Sequence, residues 1–135
     1  MTPSDVPPWE RLDATRDFRE RLCEISSSGD RRLFHPLDTG AYVVSIQASA
    51  EHASLPRAAA PPGDVEAWEV AVFTRDGRLL DERWDAELAS LPAEWRRYWS
   101  GGIARLVPTP VLQVVLHRFA LGPEDFDHFI LGEPG

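Results

Sequence analysis

The side chains best suited to chemistry in this chain of 135 residues lie in one stretch: Ser45, Gln47, Ser49, His52, Ser54 and Arg57. Ser45 and Gln47 fall on the same side of an alternating segment, and the other four follow it directly. An imidazole near two hydroxyls is what general-base activation of an alcohol requires. Arg57 follows Pro56, whose fixed φ stiffens the chain, so little freedom is lost when its planar fork grips a carboxylate or phosphate. Two outcomes stay open for these groups. Either they converge on a partner or a small anionic ligand, or they hydrogen-bond locally, with Arg57 tethering the loop through Glu51 or Glu69.

Other chemistries find little support. His35, His52, His117 and His128 show no H-x-x-x-H or H-E-x-x-H spacing, and Cys23 is the only cysteine, so neither a metal site nor a cofactor is expected. Cys23 borders an apolar stripe and reads as a small packing residue. No G-x-S-x-G elbow occurs, and Gly101-Gly102 lacks a phosphate-loop pattern. Every basic residue is Arg, which removes Schiff-base, phosphate-loop and general-base lysines together. Carboxylates are too numerous to pair off, and residues 81–87 (Asp-Glu-Arg-Trp-Asp-Ala-Glu) read as a solvated face.

Charge narrows the partners. With 14 Arg against 22 Asp/Glu the formal net charge is -8, which disfavours direct nucleic-acid binding, since that affinity rests on phosphate contacts. Arg96-Arg97 between Trp95 and Tyr98-Trp99 resembles a stacking platform, but reads more simply as a buried tryptophan edge with exposed arginines. No apolar run approaches membrane-spanning length, and the N-terminus lacks the basic and apolar blocks of a secretory signal. A cytoplasmic protein without membrane attachment is expected.

The elements that would position these groups form one domain, 1–135, of α+β class. The pattern predicts a small antiparallel sheet of about three strands packed against N-terminal and C-terminal helices. Apolar spacing through Trp9, Leu12, Phe18, Leu22 and Ile25 predicts a helix over 7–27, with Asp17 and Arg21 as an i,i+4 pair. Alternation predicts strands over 41–48 and 65–74, separated by an Ala/Pro-rich loop over 49–64. Asp76-Gly77 is a hairpin signal that should return a third strand through Arg78-Leu79-Leu80. Short helices are expected over 85–91 and 92–99. Thr109-Pro110 opens a longer one that places Val111, Leu112, Val115, Leu116 and Phe119 on one face and ends at Gly122. The tail, 123–129, is expected to add a turn and a short edge segment.

One stretch resembles a family. Val44-Ser45-Ile46-Gln47-Ala48-Ser49, then His52, Ser54 and Pro56-Arg57, then Glu69-Val70, is similar to small uncharacterised proteins of bacteria and their phages. Those carry a Val-Ser-(Ile/Val)-Gln-Ala-Ser strand, a His-x-Ser-x-Pro-Arg loop and a second strand reading Glu-Val. Val107-Pro108 echoes their later Val-Pro segment. Where they often carry an aromatic after the histidine, this chain has Ala53. The resemblance covers about a quarter of the chain and implies a shape and a phage or mobile-element setting, with no reaction attached.

Three functional readings follow. The leading one is a non-enzymatic, acidic protein-binding factor, such as an inhibitor or immunity-type protein of a bacterial or phage conflict system, acting on a partner with a basic surface. It rests on small size, negative charge, five tryptophans and the absence of an assembled catalytic motif. The second is a small hydrolase or transferase using His52 with Ser49, Ser54 or Arg57. The third is a nucleic acid mimic filling a basic cleft, for which Glu124, Asp125, Asp127 and Glu133 are the only Arg-poor acidic cluster. Oligomeric state is not readable.

Overall fold

The computed structural model describes residues 17–121. They form an α+β fold with two antiparallel sheets in place of the single three-stranded sheet expected. The larger has five strands in the order β3-β4-β5-β7-β6, and a separate pair joins β1 and β2. The strands are β1 (Glu24–Ser28), β2 (Arg31–Phe34), β3 (Leu37–Asp38), β4 (Tyr42–Gln47), β5 (Ala67–Thr74), β6 (Trp99–Ser100) and β7 (Ile103–Pro108). The helices are α1 (Ala86–Ala89), α2 (Ala93–Arg96) and α3 (Thr109–Leu121).

The period-two pattern read in β4 and β5 sets the pairing. Val44 lies opposite Val72 and Ile46 opposite Val70, while Ser45 meets Ala71 and Gln47 meets Glu69 on the other face. Val44, Ile46, Trp68, Val70 and Val72 therefore point into the core, where Leu112, Val115, Leu116 and Phe119 of α3 join them. Trp68 is completely buried. Phe18 meets it edge-on at 5.4 Å, a favoured aromatic geometry. Its indole N–H donates to Thr109 Oγ1 at 2.9 Å, and that hydroxyl donates to Val65 O at 2.9 Å. The start of α3 is thereby fixed to the start of β5.

The helix expected over 7–27 is not what the chain forms where it is described; 1–16 lie outside the described residues, as do Gly122 and the tail. Phe18–Arg21 make one turn of 3-10 helix, and the next segment is β1. Asp17 explains the short turn. Its carboxylate accepts from Arg19 N at 2.9 Å and pairs with the Arg19 guanidinium at 2.5 Å, so it closes on i+2 and not on Arg21. Leu22 is already extended at φ -72, ψ 131. Cys23 is exposed, contrary to the packing role expected of it.

The Asp76-Gly77 turn forms, with Gly77 at φ 95, but no full third strand returns from it. Only a bridge between Phe73 and Leu79 follows, together with Leu80 N donating to Val72 O at 2.8 Å. The position beside β5 is taken instead by β7, which sequence patterning did not reveal. Its pairing with β5 slips between Trp68 and Val70, and the slip places Leu106 at φ 53. A bulge of this kind re-aims the chain: Leu106 N leaves the ladder and donates to Ala53 O at 3.1 Å.

Candidate functional site

The loop between β4 and β5 brings three of the six candidate residues together. Ser49 Oγ lies 2.7 Å from His52 Nδ1 and also accepts from Glu51 N at 3.3 Å. Ser54 Oγ donates to Pro56 O at 3.1 Å and lies 3.3 Å from Ser49 O. All three side chains are buried, and Ser49 has no exposed surface at all. Ala53 N donates to Glu69 Oε1 at 3.2 Å, which seats the loop on the sheet face opposite the core. These hydroxyls satisfy the loop's own polar groups, as buried polar groups must be satisfied. A nucleophilic role for Ser49 would require the loop to open.

Ser45 and Gln47 do not join that cluster. Gln47 Oε1 accepts from Phe34 N at 2.8 Å, and Gln47 Nε2 donates to Phe34 O at 2.9 Å. Its amide thus substitutes for a strand partner and clips β2 to β4; its remaining proton reaches Ser45 Oγ at 3.1 Å. Arg57 is exposed and makes no ion pair among the described residues. The two carboxylates expected to hold it are engaged elsewhere, Glu51 with Arg31 at 2.9 Å and Glu69 with Ala53 N.

A different arginine holds the loop. Arg32 is buried, stacks on the Phe34 ring at 4.4 Å, and donates to Ala48 O at 2.8 Å and to Ala60 O at 2.6 Å. One guanidinium therefore joins both ends of the Ala/Pro-rich segment. Burial pulls its pKa down, against the opposing pull of Glu24.

The acidic cluster at 81–87 is not the solvated face expected of it. Asp81 is buried; it accepts from Arg83 N at 2.9 Å and pairs with the Arg83 guanidinium at 2.6 Å. Asp85, also buried, accepts from Asp81 N at 2.8 Å and pairs with Arg78 at 2.9 Å. Glu82 reaches across to the β6–β7 turn and accepts from Gly101 N at 2.9 Å and Gly102 N at 3.0 Å. The Arg83 guanidinium beside Asp81 holds that carboxyl below its ordinary value, and the Asp81 N–H followed by Arg78 does so for Asp85. For Glu82 burial pushes upward, but the N–H groups around it outweigh this and leave its pKa lowered.

Three carboxylates thus immobilise one short turn, and what that turn presents outward is Trp84. It is 66% exposed, more than any other large apolar side chain among the described residues, and Arg83 stacks on its ring at 4.5 Å. Sequence reasoning missed this residue because its neighbours looked like ordinary surface acids. The available signal was the spacing: acids at 81, 82 and 85 bracket an Arg-Trp pair within one turn. No group of three or more His, Cys, Asp or Glu capable of holding a metal occurs among the described residues. Nor is any described helix long and apolar enough to cross a membrane. No protein family, curated protein or solved structure matches the chain.

Proposed function

We propose that this protein is a non-enzymatic binding factor that docks on a protein partner carrying surplus positive charge, an inhibitor or immunity-type factor of a bacterial or phage conflict system being the kind it best fits. The carrying observation is Trp84, held out to solvent on a turn whose three carboxylates are all engaged in fixing it. Exposing an indole sacrifices burial of a large apolar side chain, and building a rigid support beneath it adds to the investment. A rigid aromatic loses little conformational entropy on docking, which is why tryptophan and arginine dominate binding hot spots. The net charge of -8 would speed encounter with a basic partner.

The test is affinity capture from bacterial lysate, with the full chain and its Trp84→Ala variant in parallel. Truncating a hot-spot tryptophan costs at least about 2 kcal/mol, roughly thirtyfold in Kd. A protein retained by the native chain should therefore be lost from the variant, and its retention should fall as salt rises. Identical retention by both chains would refute the proposal. The Ser49–His52 contact favours a second reading, a hydrolase or transferase working through His52. It requires turnover that His52→Gln abolishes without unfolding the chain.

A further inference from the structure

We infer that the free edge of β1 is a strand-addition site for an extended basic segment of the protein partner, an inference that rests on the protein-binding reading above. The five residues of β1, Glu-Ile-Ser-Ser-Ser, are all exposed, and among the described residues the strand pairs with β2 alone. The edges of the larger sheet are β3 and β6, each only two residues long, and short edges are a common protection against unwanted pairing. β1 lacks that protection, and it carries neither Lys nor Pro. Its one irregularity is a slip between Glu24 and Ser26, after which Ser26, Ser27 and Ser28 pair regularly with Leu33, Arg32 and Arg31. Serines leave the edge sterically open, so the row of backbone N–H and C=O groups is accessible to another strand.

The surroundings specify what that strand should carry. Ile25 and Leu33 are 53% and 43% exposed, and both lie on this hairpin; apolar side chains on an added strand would cover them. Glu24 and Asp30 bound the edge at its two ends, both exposed, and neither forms a salt bridge among the described residues. Glu24 does act on buried Arg32 at longer range, and Arg31 is engaged by Glu51. The charge offered at both ends of the edge is therefore negative. At about 3.3 Å per residue, basic side chains roughly six positions apart on an added strand would reach both carboxylates.

The probe is a capped peptide, Arg-Thr-Val-Thr-Val-Thr-Arg, titrated into the isotopically labelled full chain while backbone amide shifts are followed. The site predicts saturable shifts concentrated over residues 24–30, and none when both arginines of the peptide are replaced by glutamate. The pair Glu24→Arg with Asp30→Arg leaves the backbone intact and should weaken binding at least tenfold. Ser27→Pro, which removes an edge N–H, should weaken it further. Trp84→Ala should leave peptide affinity unchanged, so failure of the edge and failure of the tryptophan anchor are read separately. Shifts centred elsewhere, or affinity indifferent to the charge reversals, would overturn the inference. So would a dimer of the free chain that buries these same amides, since the occupant would then be a second copy.

Discussion

At the scale of single residues, hydroxyls and carboxylates that looked available for chemistry are mostly committed to holding backbone. Ser49 shows the difference between proximity and access. Its 2.7 Å contact with His52 has a hydrogen-bond length suited to a catalytic pair, yet the side chain is wholly buried. Its work is to meet the His52 ring and the Glu51 N–H from inside the loop. Ser49→Ala should therefore act on stability. Leaving buried polar groups without their partner costs about 1–3 kcal/mol, which urea denaturation would read as a lower midpoint with an unchanged slope. An unchanged midpoint would show that the loop's polar interior contributes nothing. Trp84 presents the opposite case. Its ring is mostly in solvent, so truncating it should leave the midpoint nearly where it was, and its loss should register in binding.

At the scale of elements, legibility followed the length and regularity of the apolar pattern. β4, β5 and α3 were readable because Tyr42–Gln47 and Ala67–Thr74 alternate and because α3 carries a full apolar stripe behind Thr109-Pro110. β7 was hidden because its ladder contains the slip at Trp68/Val70 and a leucine at φ 53, which breaks the period that reveals a strand. The N-terminal segment misled for the reverse reason. Phe18, Leu22 and Ile25 have helical spacing, but Phe18 is buried against Trp68, Leu22 is extended and Ile25 is exposed on a strand. Of the candidate site, the grouping of Ser49, His52 and Ser54 was readable from nearness in sequence. The Arg32 clasp and the Glu82 bridge were not, since each joins segments far apart in the chain. The Glu82 bridge makes a specific expectation at the β6–β7 turn. Gly101 (φ 62) has open space where a Cβ would sit, whereas at Gly102 (φ 88) it would lie 2.8 Å from a Leu79 methyl and 3.0 Å from the Leu80 carbonyl. Gly101→Ala should cost about 1 kcal/mol of left-handed strain. Gly102→Ala should cost clearly more, because backbone as well as side chain must shift. Thermal melts of the two variants would rank them, and equal losses would mean the turn is not packed against residues 79–80.

At the scale of the whole molecule, the acidic surplus is partly structural, and this sets how the protein should respond to acid. Asp17, Asp76, Asp81, Glu82 and Asp85 all have carboxyl groups held below their ordinary values. For Asp17, Asp81 and Asp85 a paired arginine contributes to this. A group whose pKa is lower folded than unfolded stabilises the fold above its unfolded value, about 4 for Asp and Glu. That contribution is lost as pH falls through the folded value. The urea midpoint should thus be nearly level from pH 8 to about 5 and decline below about pH 4. Neutralising one carboxylate in advance sharpens the test, because Asp85→Asn removes both the Arg78 pair and the anionic acceptor for Asp81 N. The variant should be less stable than the native chain at neutral pH and decline less steeply in acid, so that the two curves converge there. Parallel curves at every pH would show that Asp85 acts through shape alone, and that the turn beneath Trp84 does not depend on charge.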